Sequence, residues 1–168
     1  MKIIFLDIDG VLNCARYIKA CAGQFDLPAK QMDPNAVSRL NTITRLTDAK
    51  IVVSSTWRLA FMERPANPFG LDLGEGLLQG NVEQLARCLR AYCITGEVVG
   101  MTPRLGGNTC RGDEIQWWLN QHNDIEKFII IDDSSDMGHL MQHLINTSFN
   151  DGLEDKHVKT AISILGLK

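Results

Sequence analysis

Lys2-Ile3-Ile4-Phe5-Leu6-Asp7-Ile8-Asp9-Gly10-Val11-Leu12-Asn13 is the stretch on which the fold turns. Residues 2–6 run almost unbroken in apolar character into an acidic pair. A strand with one wet face alternates, whereas continuous apolar character means that both faces are covered, as in a central parallel strand. Two other runs share the pattern. Residues 51–53 (Ile-Val-Val) lead into Ser54-Ser55-Thr56-Trp57-Arg58, and residues 128–131 (Phe-Ile-Ile-Ile) lead into Asp132-Asp133-Ser134-Ser135-Asp136. Residues 97–101 and 144–147 are weaker strand candidates.

Helical stretches separate these runs. Asp33-Pro34 has the form of an N-cap followed by proline at the first helical position, with Val37, Leu40 and Ile43 as the apolar stripe. Val82, Leu85, Ala86, Leu89 and Cys93 mark a second helix, and Ile115, Trp118, Leu119 and His122 a third. Val158, Ala161, Ile162 and Leu165 mark a last one after the turn Asn150-Asp151-Gly152. Strands alternating with helices predict βαβ units: an α/β, three-layer, Rossmann-like parallel sheet. No repeat, low-complexity tract or long linker divides the chain, so one domain over residues 1–168 is expected.

Composition narrows the function. The chain has 168 residues, 45% of them hydrophobic and 22% charged, with a net charge of −3. That excludes a disordered tail, a fibrous repeat and a disulfide miniprotein, and it lacks the cationic field of a nonspecific nucleic-acid binder. The apolar runs are too short to span a bilayer, so no membrane partner is expected. The N-terminal run meets Asp7 and Asp9 too early to be a signal-peptide core. Five cysteines without a CxxC pair suit free thiols in the cytoplasm.

In a parallel α/β sheet, ligands bind beyond the carboxyl ends of the strands. Here those ends deliver Asp7 and Asp9, Ser54 and Ser55, and Asp132 and Asp133, while Arg111-Gly112-Asp113-Glu114 opens the third helix. Carboxylates gathered this closely repel one another unless a cation sits among them or some are protonated. Oxygen donors without His or Cys favour Mg²⁺ over zinc or copper. Hydroxyl and guanidinium groups suit phosphate oxygens, so the edge fits a phosphoryl group. These residues do not themselves reveal which carboxylate attacks.

The set DxDGVLN, an apolar strand ending in Ser-Ser, a basic residue opening a helix, and IIIDD resembles the haloacid dehalogenase (HAD) superfamily of phosphatases, in order and spacing across nearly the whole chain. More narrowly, SSTWR, RGDEI and the C-terminal segment resemble the small HAD domain of bacterial RNA repair proteins. The resemblance implies that Asp7 is the nucleophile, forming an aspartyl-phosphate, and that Asp9 is the general acid and then the base. It implies Mg²⁺ held by the Asp7 carboxylate, the Asp9 backbone carbonyl and Asp132, aided by Asp133 or Asp136. Ser54, or alternatively Ser55, would bind the phosphoryl group. Arg111 stands where the superfamily usually has lysine, replacing a point charge by a fork.

Plainer readings stand beside these. Asp7 and Asp9 as strand-end caps, Asp132-Asp133 as a turn, and one of Ser54, Ser55 and Thr56 as an N-cap need no chemistry. Arg58 either contacts phosphate or pairs on the surface, and Arg111 is otherwise a solvated first-turn residue. His139 and His143 have metal-ligand spacing but no third ligand, which favours a solvated helix face. Trp118 fits the core and Trp117 does not. The cysteines are expected to be inert, with Cys14 the one to watch for oxidation.

Residues 14–32 and 59–80 are too short or too loop-like for a lid domain, so a minimal cap or none is expected. An open site suits polynucleotide 3′-phosphate ends or nucleotides, steered by Arg16, Lys19, Lys30, Arg58, Arg64 and Arg104. The alternatives are a small-metabolite phosphatase and a receiver-like module that accepts phosphate on aspartate. Against the receiver, Arg111 precedes Asp132-Asp133, and Asp9 provides a base that a stable phospho-switch has no use for.

Overall fold

The structure, a computed structural model, describes residues 1–21, 31–62 and 81–168. Five parallel strands, β1 (Lys2–Leu6), β2 (Lys50–Val53), β3 (Val98–Met101), β4 (Lys127–Asp132) and β5 (Leu144–Asn146), form one sheet in the order β3-β2-β1-β4-β5. The three continuously apolar runs are its three inner strands. Leu6 lies opposite Val53 on one side and Ile131 on the other, which aligns the ends of β1, β2 and β4.

Side chains alternate across the sheet, and each face has its own core. Ile4, Leu6, Ile51, Val53, Ile129 and Ile131 face α2 (Pro34–Thr47), α3 (Val82–Ala91) and α5 (Asp155–Leu165). Ile3, Phe5, Val52 and Ile130 face Ile115 and Trp118 of α4 (Arg111–Asn120), with the Phe5 and Trp118 rings edge to face at 5.4 Å. Each such fully buried side chain contributes about 1.5–3 kcal/mol. The three layers are therefore helices, sheet, and helix again. The chain steps outward from β1 through β2 to β3 and then crosses to β4 on the far side of β1. The reversal places a crevice at the carboxyl ends of β1 and β4.

Local signals act where they stand. Asp33 Oδ1 accepts the Asn35 N–H at 2.9 Å, with Pro34 at the first position of α2. Trp118 is buried, and the five cysteines are free, Cys14 being buried. Cys93 departs from its expected stripe. Helix α3 stops at Ala91, and Cys93 is exposed at φ 65°, its carbonyl accepting from Asn41 Nδ2. His139 and His143 lie on a 3₁₀ turn (Gly138–His143) rather than an α-helix face. His139 meets Gln116 and His143 stacks on Phe128, so the pair does not converge. Between residues 14 and 32 the structure describes one short helix, α1 (Ala15–Ala20); residues 22–30 and 63–80, on which the cap expectation also rests, lie outside the described residues. Among those described, no helix is long and apolar enough to cross a membrane.

Candidate active site

The backbone ladder extends one residue beyond each strand and fixes a polar row. The Asp7 N–H donates to Ile131 O, Ser54 N–H to Leu6 O, and Thr102 N–H to Val53 O, each at 3.0 Å. By the two-residue period, Asp7, Ser54 and Asp132 follow Phe5, Val52 and Ile130 on the α4 face. All are buried. Arg111, the first residue of α4, closes the row: its Nη1 donates to Asp7 Oδ1 and to Asp132 Oδ2, both at 2.7 Å.

Two glycines permit this approach. Gly10, at φ +74°, sits where a Cβ would collide with the Asp133 carboxyl group, so its absence brings the DxDG turn against the β4 end. Gly112 sits where a Cβ would collide with the Met137 backbone, which lets the start of α4 press on the loop after β4. Asp136 serves that junction. Its carboxylate accepts the Arg111 N–H at 3.3 Å and its carbonyl the Gly112 N–H at 3.1 Å. Of the two alternatives for a helper of Asp132, the converging one is Asp133: oxygens of Asp7, Asp132 and Asp133 lie within 4.8 Å of one another.

Two carboxylates thus bond the Arg111 guanidinium, and a third, that of Asp133, lies beside them. Burial first, and the negative Asp7 next, push Asp132 up to about 6, against the pull of Arg111. Burial and Asp7 likewise raise Asp133. Burial alone would lower Arg111, but Asp7 and Asp132 outweigh it and hold the guanidinium more firmly charged than usual. The residual negative charge and the hard oxygen donors fit Mg²⁺.

Asp9 is set apart from this cluster. It is exposed, and its carboxylate turns to neutral donors: Asn13 Nδ2 at 2.7 Å on Oδ1 and Trp57 Nε1 at 3.1 Å on Oδ2. The two carboxylates of the DxD pair therefore occupy different surroundings.

The serines divide the two duties that the sequence left open. Ser55 Oγ accepts the Trp57 N–H at 3.4 Å and caps the 3₁₀ turn Thr56–Phe61. Ser54 Oγ is buried without a hydrogen-bond partner, as is Thr102 Oγ1 beside it. An unpaired buried hydroxyl costs about 1–3 kcal/mol, a cost that a phosphoryl oxygen would relieve at Ser54.

Arg58 requires correction on both of its expected readings. It is neither on the surface nor free for phosphate, being 3% exposed. Its Nε donates to Thr102 O, Nη1 to Ser54 O and Ser55 O, and Nη2 to Pro103 O and Glu114 Oε2. Every N–H of the guanidinium is committed to holding the β2 and β3 ends against α4. Of the other cations expected to steer substrate, Arg16 pairs with Asp151, while Lys30 and Arg64 lie outside the described residues. Sequence reasoning gave no role to Asn13, Trp57, Thr102 or Glu114. Asn13 and Trp57 stood inside the quoted motifs, but nothing in their spacing foretold a shared carboxylate.

A parallel sheet whose strand order reverses at a carboxylate-lined edge, with a hydroxyl on the neighbouring strand end and a cation entering from the crossover helix, fits a HAD domain, in general terms a phosphatase-type hydrolase. The chain belongs to the family described as the HAD domain in Swiss Army Knife RNA repair proteins, whose model matches residues 3–158. No curated protein and no solved structure gave a significant match.

Proposed function

We propose that the protein is a Mg²⁺-dependent phosphomonoester hydrolase that works through phosphorylated Asp7. The observation that carries this reading is the convergence of Asp7, Asp132 and Asp133, two of which, Asp7 and Asp132, pair with Arg111. Asp7 presents a buried carboxylate that accepts a hydrogen bond from the Arg111 guanidinium, and its oxygen attacks phosphorus as the bond to the leaving oxygen breaks. Arg111 and the Ser54 hydroxyl hold the transferring group, and the fork of Arg111 offers further N–H donors to its oxygens. Asp9 gives its proton to the leaving oxygen, then takes one from the water that cleaves the phosphoaspartate. Asp7, Asp132, Asp133 and the Asp9 carbonyl would hold Mg²⁺, which would supply charge neutralisation at the phosphoryl oxygens when bound.

Polynucleotide 3′-phosphate ends or nucleotides are the proposed substrates. Support comes from the RNA repair proteins in which this domain family occurs. The test is a panel of phosphomonoesters assayed with and without Mg²⁺, beside Asp7→Asn and Asp9→Asn. Metal-dependent turnover that both variants lose is expected, with a 3′-phosphorylated oligonucleotide preferred over p-nitrophenyl phosphate. Equal turnover of those two compounds removes the polynucleotide substrate, and wild-type turnover by Asp7→Asn removes the nucleophile.

A further inference from the structure

We propose that Trp57 is a positioning residue for proton transfer by Asp9, its indole N–H fixing the carboxyl group in the orientation that reaches the leaving oxygen. This deepens the hydrolase reading and rests on it.

Both ends of Trp57 are pinned. Its backbone N–H is taken by Ser55 Oγ at the start of the 3₁₀ turn, and its ring meets Tyr92 edge to face at 5.9 Å and 71°. The indole also packs on the main core. Its N–H is thereby aimed from the end of β2 at Asp9, beyond the end of β1, at 3.1 Å. The other Asp9 oxygen is held by Asn13, whose amide orientation is fixed in turn, because Asn13 Oδ1 accepts the Gly10 N–H at 3.1 Å.

The chemistry of the two partners matters. An indole N–H donates only, and the Asn13 group facing Asp9 is its NH₂. Neither can accept a proton from Asp9. A proton carried by Asp9 must therefore lie on a lone pair directed away from Trp57 and Asn13, and the carboxyl plane cannot rotate without breaking one of the two bonds. In the transfer step Asp7 Oδ forms a bond to phosphorus, the bond from phosphorus to the leaving oxygen breaks with its electron pair on that oxygen, and the Asp9 proton moves there. A misaligned Asp9 harms this step in proportion to the basicity of the leaving oxygen. An indole that merely filled space would show no such dependence.

The test compares glycerol 2-phosphate, a poor leaving group, with p-nitrophenyl phosphate, a good one, both with Mg²⁺. Trp57→Phe keeps an aromatic ring and removes the donor. Its kcat is expected to fall about 30-fold or more on glycerol 2-phosphate and less than about 3-fold on p-nitrophenyl phosphate, with KM little changed. Trp57→His retains a ring N–H and is expected to recover most of the lost kcat; it also decides the matter if Trp57→Phe fails to fold, since the same skewed loss in Trp57→His overturns the proposal. Equal losses on both substrates, or none, in Trp57→Phe overturn it while leaving the hydrolase reading intact, provided that Asp9→Asn shows the skewed loss. If Asp9→Asn shows no skew, the role of Asp9 falls and the positioning role falls with it.

Discussion

Two arginines approach the same sheet edge and do opposite work. Arg58, on the β2–β3 side, spends its guanidinium on four backbone carbonyls and Glu114, and is sealed from solvent. Arg111, on the β1–β4 side, places one nitrogen between two carboxylates and stays partly open. The difference lies in what each must satisfy. Carbonyl oxygens left bare by ending strands need donors for the fold to close. Carboxylates gathered in excess of the cations beside them keep a negative charge that a bound cation or a proton offsets. A buried, fully bonded cation holds the scaffold, and under the proposed function a half-committed cation among acids serves the chemistry.

The largest expected effect falls on the Arg111 side. Asp7→Asn is expected to lower kcat by about a thousandfold or more while the chain melts as a folded protein, measured by steady-state assay beside thermal denaturation. Next comes the Arg58 side. Arg58→Ala strands Glu114 and the carbonyls, so a loss of about 3–5 kcal/mol in denaturant titration is expected. A stable Arg58→Ala chain with a raised KM would instead restore Arg58 to phosphate binding.

Arg58 shows most clearly what the sequence could and could not tell. The sheet was legible, because continuous apolar runs and their acidic ends follow from burial on both faces. The DxD pair, the Ser54-Ser55 pair and Asp132 were legible because parallel strands deliver their ends to one edge, and Arg111 because it opens the helix that leads into β4. The depth of Arg58 was not, since it depends on carbonyls at Thr102 and Pro103 and on Glu114, more than forty positions away. Spacing within SSTWR contains no trace of those partners. The choice between Ser54 and Ser55 needed the same kind of fact, namely which hydroxyl the 3₁₀ turn consumes.

Arg111→Lys sharpens the comparison at a smaller scale. It keeps the charge and loses the fork, so kcat is expected to fall about tenfold, against a hundredfold or more for Arg111→Ala. Arg58→Lys, by contrast, should change stability more than kcat, because five directed donors are replaced by three.

The smallest effect is in pH. Asp132 titrates at 3.8 in the absence of the fold and at about 6 within it, so the folded chain holds more protons between those values. Its contribution therefore favours folding most at low pH and is lost as pH rises through about 6. Melting curves with a chelator should show this decline, Asp132→Asn should flatten it, and added Mg²⁺ should raise the melting temperature more near neutrality than at about pH 5.

The most direct measurement is chemical trapping at residue 7. Acid quench during turnover, followed by borohydride reduction and peptide mass spectrometry, is expected to find homoserine at position 7 and unmodified aspartate at position 9. Active protein that shows aspartate at position 7 under those conditions, or homoserine at any other position, would contradict the assignment of Asp7 as the group that takes the phosphate.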